Sequence, residues 1–134
     1  MLTCSIMLCA DRVIRDAQSN AISVINILEE ITPEGLPIFI QRFMIYAFLH
    51  RDPESDPSKV RCQILITIGT NRLVEHDLEI DFQGKKNNRT IVDIGGLVIP
   101  ASGRLETSLS YDGSKLNSFG FEIREPRSTK VAKM

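Results

Sequence analysis

Two histidines, three cysteines and three short charged clusters are where this chain could do chemistry. Cys62 could act as a nucleophile with a histidine, since a Cys–His couple needs closeness in space and not in sequence. It falls on the apolar phase between Val60 and Ile64, where a buried thiol is inert. His76 also falls on an apolar phase and has no second histidine near it in sequence. A core or edge histidine satisfied by a hydrogen bond is the better reading. His50 ends a hydrophobic run beside a loop and reads the same way.

Asp52, Glu54 and Asp56 place carboxylates at alternate loop positions, as calcium loops do. Pro53 and Pro57 intrude, and the turn glycine and terminal bidentate glutamate are missing, so a solvated loop is expected. Glu75, Asp77, Glu79 and Asp81 form the outer stripe of an amphipathic strand. Such a stripe repels edge-to-edge pairing or meets a basic partner. Lys85, Lys86 and Arg89 make a small basic loop. A nucleic-acid site wants exposed aromatics among its cations, and here Phe and Tyr fall on buried phases. The absence of Trp weakens a sugar-stacking platform. The chain has no glycine-rich phosphate loop, no Gly-x-Ser-x-Gly and no His-Glu-x-x-His. No catalytic, cofactor-binding or metal-binding residue is assigned, and no enzyme is expected.

The elements that must position these residues read as strands. Leu105, Thr107, Leu109 and Tyr111 alternate with Arg104, Glu106, Ser108 and Ser110, the period of a half-buried strand. Asp112-Gly113 offers the positive φ angles of a two-residue hairpin turn. Phe119, Phe121 and Ile123 then alternate in a final strand. Pro100-Ala-Ser-Gly103 is turn chemistry, and Gly95-Gly96 marks a bulge within a strand over 90–99.

Earlier, residues 3–14 form a strand with Cys4, Ile6, Leu8 and Ala10 on one side. Cys4 and Cys9, five apart, then face opposite sides. Asp16 to Asn20 is a polar turn. Residues 21–31 are rich in β-branched side chains that resist helix, and Thr32-Pro-Glu-Gly-Leu-Pro37 ends them. Residues 38–50 read as one strand covered on both faces. Residues 59–68 and 72–82 each alternate cleanly, with Gly69-Thr-Asn71 between them.

The bulk numbers fit this pattern. A chain of 134 residues suits one domain with a real core. A net charge of −1 gives no broad field for nucleic acid or anionic membrane. Three cysteines without paired spacing argue for buried free thiols in a reducing compartment. The apolar N-terminus lacks a basic region and ends at Asp11, which reads as a strand and not an export signal.

Cys9-Ala-Asp-Arg-Val with Asn20-Ala-Ile-Ser-Val-Ile-Asn-Ile-Leu, the strand led by Pro37, and Ile99-Pro-x-x-Gly103-x-Leu-x-x-x-Leu-x-Tyr-Asp-Gly113 together resemble a family of short uncharacterised bacterial β-sandwich proteins, a domain of unknown function. The likeness spans most of the chain and implies a fold; no catalytic residue comes with it.

The expected fold is all-β: an antiparallel two-sheet β-sandwich of about eight strands, immunoglobulin-like or jelly-roll-like. It occupies residues 1–126 as one domain, with a frayed tail at 127–134. The function expected of it is that of a non-enzymatic cytoplasmic module for protein interaction or self-association, as a homodimer. The alternative is a small-ligand or carbohydrate-binding module using loops at one end. A protein partner or a second copy is expected, with no cofactor, nucleic acid or membrane.

Overall fold

Apolar side chains at every second position fold the chain into strands. In the computed structural model, which describes residues 1–126, these are β1 (Thr3–Arg15), β2 (Ile22–Ile27), β3 (Glu30–Ile31), β4 (Ile38–Ile40), β5 (Met44–His50), β6 (Lys59–Ile68), β7 (Asn71–Asp81), β8 (Asn87–Asp93), β9 (Leu97–Ile99), β10 (Gly103–Tyr111) and β11 (Ser114–Ile123). The tail expected to fray, 127–134, lies outside the described residues. β3, β4 and β9 are pieces of two or three residues, so the eight longer strands are the eight the turn spacing foretells. Among the described residues no helix is long and apolar enough to cross a membrane.

The strands form a four-stranded sheet in the order β2-β1-β5-β8, a five-stranded sheet in the order β3-β11-β10-β6-β7, and a separate ribbon β4-β9. Every ladder is antiparallel except the short β3–β11 pair. Three neighbours β1-β5-β8 facing four neighbours β7-β6-β10-β11 is the A-B-E and C′-C-F-G order of immunoglobulin-like sandwiches. The β10–β11 hairpin turns at Asp112 and Gly113, both at positive φ (52° and 80°), as the sequence predicts.

The core lies between the two large sheets. Ile45, Ala47 and Leu49 of β5 face Val60, Cys62, Ile64, Ile66 and Ile68 of β6, with Leu105, Leu109, Phe121 and Ile123 beside them. Fully burying one such side chain contributes roughly 1.5–3 kcal/mol. The alternation expected for 59–68 holds at all five positions.

Three expectations are corrected. First, Cys4 and Cys9 share the core face with Met7, instead of facing opposite sides. The cause is a bulge: Cys4 pairs with Leu49 and Ile6 with Phe48, so Ser5 is an extra residue that shifts the phase. Ile6, Leu8 and Ala10 consequently point to the other face. Second, residues 38–50 are two strands in different sheets, because the chain breaks at Gln41-Arg42 between β4 and β5. Third, Gly95-Gly96 is no bulge. There the chain leaves β8 in the four-stranded sheet and enters β9 in the ribbon.

The outer face of the four-stranded sheet carries a second apolar cluster. Ala10, Val13 and Tyr46 are buried there, packed by Leu8, Ile22, Val24, Met44, Phe48 and Ile91. β1 is long enough to run past its pairing with β5, so its far half and β2 make a hairpin that bends over this face. The Val13 N–H donates to Met44 Sδ at 3.5 Å, and Arg15 Nη2 donates to the Arg89 carbonyl at 2.7 Å.

Two substitutions separate hydrocarbon burial from polar burial. Ile66→Ala, at a fully buried position, is expected to cost about 2–5 kcal/mol. Thr107 is also fully buried, and its hydroxyl lacks a hydrogen-bond partner of good geometry among the described residues. Thr107→Val is therefore expected to leave stability unchanged or raise it by about 1 kcal/mol. Urea denaturation of both variants checks the pair, and a Thr107→Val loss like that of Ile66→Ala contradicts the reading.

Candidate functional site

The residues singled out by type fall into separate places. Cys62 is buried on the core face of β6, opposite Leu78, while His76 sits two pairs along, opposite Ile64, on the edge strand β7. Burial pushes the Cys62 thiol up to about 11, with the Cys4 thiol adding to the shift. Cys9 is pushed up to about 12 by burial, and the Thr107 hydroxyl works weakly against it. All three thiols are free. His76 is exposed and has no hydrogen-bond partner among the described residues, contrary to the satisfied histidine expected. As the last strand of its sheet, β7 has no hydrogen-bonded neighbour on one flank, and His76 shares a hollow of about 260 Å³ with Val92, Asp93 and Ile94.

The Asp52–Asp56 loop turns its carboxylates on its own backbone. Asp52 Oδ1 accepts the Glu54 N–H at 3.0 Å, and Asp56 Oδ2 accepts the Asp52 N–H at 2.7 Å. These bonds hold both carboxyls below the ordinary carboxylate range. Arg51, only 6% exposed, ties the loop down. Its guanidinium donates to the Asp56 carbonyl and to the Lys85 carbonyl, and lies 5.7 Å over the Phe82 ring. Sequence reasoning missed Arg51, since nothing local marks one arginine of a polar stretch as buried.

His50 stands in a hydrogen-bonded row on the outer face of the four-stranded sheet. Ser5 Oγ lies 2.6 Å from its Nε2, and Asn87 Oδ1 lies 2.8 Å from its Nδ1. With Asn87 as acceptor, Nδ1 carries the proton and Nε2 accepts from the serine. The order resembles a nucleophile, base and orienting group. Ser5 lies on open sheet, however, and none of the described cavities includes it. The row ties the Ser5 bulge of β1 to His50 of β5 and Asn87 of β8, and His50 also lines a hollow of about 510 Å³ with Arg51 and Lys86.

Two surfaces remain that sequence reading did not assemble. One is the β4–β9 ribbon. Phe39 and Val98 are direct register partners, 59% and 55% exposed. Phe39 was expected in the core with the other aromatics. Instead the tip of its ring rests against Gly96, leaving no room there for a Cβ. The other is a basic cleft of about 370 Å³ between the tip of the β1–β2 hairpin and the β7–β8 turn, lined by Arg15, Lys85 and Arg89 among others. Arg89 belongs to β8 and not to the loop expected at 84–89.

The profile of a family of unknown function, DUF6941, matches residues 5–124. The chain belongs to the DUF6941 family. No curated protein matches it. Among solved structures, it is similar to an immunoglobulin-like protein from Pseudomonas aeruginosa, at 12% identity and a TM-score of 0.46, over 92% of this chain and 97% of that one. DUF6941 membership brings no activity with it, so the function of this chain has to be argued from its own surfaces.

The raised thiols set a pH dependence. At neutral pH the thiols are protonated in the folded and the unfolded chain alike. Above their ordinary value of 9.0 the unfolded chain ionises them, while the folded chain keeps them protonated up to about 11 for Cys62 and about 12 for Cys9. Their contribution to stability is therefore complete below pH 9.0 and is lost as pH rises through that window. Thiolate absorbance is expected to appear only together with unfolding in an alkaline titration. Thiolate signal from a chain with native circular dichroism at pH 9 contradicts it.

Proposed function

We propose that this protein is a non-enzymatic interaction module that pairs with a second copy of itself through the β4–β9 ribbon. The observation that carries the reading is the exposed Phe39–Val98 pair. An aromatic ring whose tip already rests against Gly96 loses less freedom on docking than a fully free one, which suits an interface anchor.

A second copy fits better than an unrelated partner for two reasons. The ribbon, Ile38-Phe-Ile40 with Leu97-Val-Ile99, carries no charge, so an identical ribbon meets no repulsion. Beside it a depression of about 280 Å³ is lined by Asp11, Arg12, Arg42 and Asp93. None of these four is in an ion pair among the described residues. Two carboxylates and two guanidiniums match their own copy across a two-fold axis, where residue i meets j and j meets i. A stable pair needs about 800 Å² from each partner, so the contact would have to take in both the ribbon and this depression. By contrast, the acidic row Glu75, Asp77, Glu79 and Asp81 on β7 opposes pairing at that edge. Three free thiols support placing the module in the reducing cytoplasm.

Light scattering of the purified chain is expected to give twice the monomer mass of 15.1 kDa. Phe39→Asp is expected to weaken the dimer by at least about thirtyfold while leaving the melting temperature of the monomer intact. A wild-type monomer at high concentration, or a Phe39→Asp dimer of unchanged strength, overturns the proposal.

A further inference from the structure

The basic cleft stands apart from the ribbon and has its own chemistry. Arg15 reaches it from the end of β1, Lys85 from the β7–β8 turn and Arg89 from β8. Arg15 Nη2 donates to the Arg89 carbonyl at 2.7 Å, and Arg89 Nη1 donates to the Asn20 carbonyl at 3.2 Å. Arg89 also lies 5.5 Å over the Phe48 ring. Carbonyl partners fix the two guanidiniums in place without cancelling their charge. None of the three cations is in an ion pair among the described residues. The one carboxylate on the wall, Asp81, accepts the Gln83 N–H at 2.8 Å. Three cations against one carboxylate leave a formal excess of two.

Phe48 and Arg89 also line a second depression of about 530 Å³ beneath the hairpin, with Ile6, Ile22 and Tyr46. The two hollows thus adjoin, one cationic and one largely apolar. We propose that together they bind a small soluble organic phosphate, its dianionic head in the cleft and its apolar body over Ile6 and Tyr46.

Planar guanidinium forks match phosphate oxygens in pairs, and a phosphate monoester carries close to the two charges that the wall leaves unmatched. Anchoring the arginines in advance lowers the ordering cost of binding. The acidic row on β7 ends at Asp81 in the cleft itself. That row repels a long polyanion such as nucleic acid and tolerates a compact dianion.

Calorimetry on the full chain tests this, with inorganic phosphate, phenyl phosphate and neutral benzyl alcohol as probes. Phenyl phosphate is expected to bind about tenfold or more tightly than inorganic phosphate, and benzyl alcohol is expected not to bind. Arg15→Gln with Lys85→Gln is expected to weaken phenyl phosphate by about tenfold or more. Ile6→Ser is expected to weaken phenyl phosphate and leave inorganic phosphate unchanged. Melting temperatures without ligand show that each variant is folded. Should the double variant not fold, Lys85→Gln alone, at an exposed position, takes its place with the same direction of effect. The proposal is overturned if neither phosphate binds at millimolar concentration, or if the cation variants bind as tightly as wild type. It is also overturned if inorganic phosphate matches phenyl phosphate, or if the chain ignores soluble phosphates and sediments only with phosphatidylcholine vesicles containing phosphatidate.

Discussion

A single dry layer between two sheets governs everything else in this molecule. The side chains that make it come from alternate positions of β1, β5, β6, β10 and β11, so the register of every ladder must deliver the same set inward. A slip of one residue in β6 would turn Ile64, Ile66 and Ile68 to solvent. Each buried side chain of that kind contributes roughly 1.5–3 kcal/mol, whereas an exposed ion pair contributes about 0–1 kcal/mol. Pairs such as Arg104–Glu122 and Lys115–Glu106 lie on the exposed surface. They trim a fold already decided by hydrocarbon.

Legibility in the sequence follows from the same constraint. β6, β10 and β11 could be read because one face of each is apolar and the other largely polar, which leaves a period of two in the sequence. The Asp112-Gly113 corner could be read because few residue pairs tolerate two successive positive φ angles. β1 and β5 were harder, since both of their faces are apolar, one toward the core and one toward the hairpin. With both faces greasy, the Ser5 bulge leaves no mark in the pattern, and the polar Gln41-Arg42 pair is the one local sign of the break between β4 and β5. The exposure of Phe39 follows from the ribbon's standing outside both sheets, a fact of topology with no local mark.

The surfaces that look functional were hidden for a related reason. Arg15 and Arg89 are 74 positions apart and meet only because the hairpin bends over the sheet. Local pattern placed Arg89 in a basic loop with Lys85 and Lys86, and left Arg15 unremarked. The edges show a similar division. β7 carries charge along its free flank, while the β4–β9 ribbon carries none. Of the edges that face water, one is guarded and another is left inviting.

The bent hairpin has a consequence for motion. It forms one wall of the basic cleft through Arg15 and Asn20, and the body of the sandwich forms the other through Asp81 to Arg89. It is also fastened by a smaller apolar cluster than the main core, so opening it costs less than unfolding the whole. Lifting it would dismantle the cleft, and whatever bridges the two walls would hold it shut.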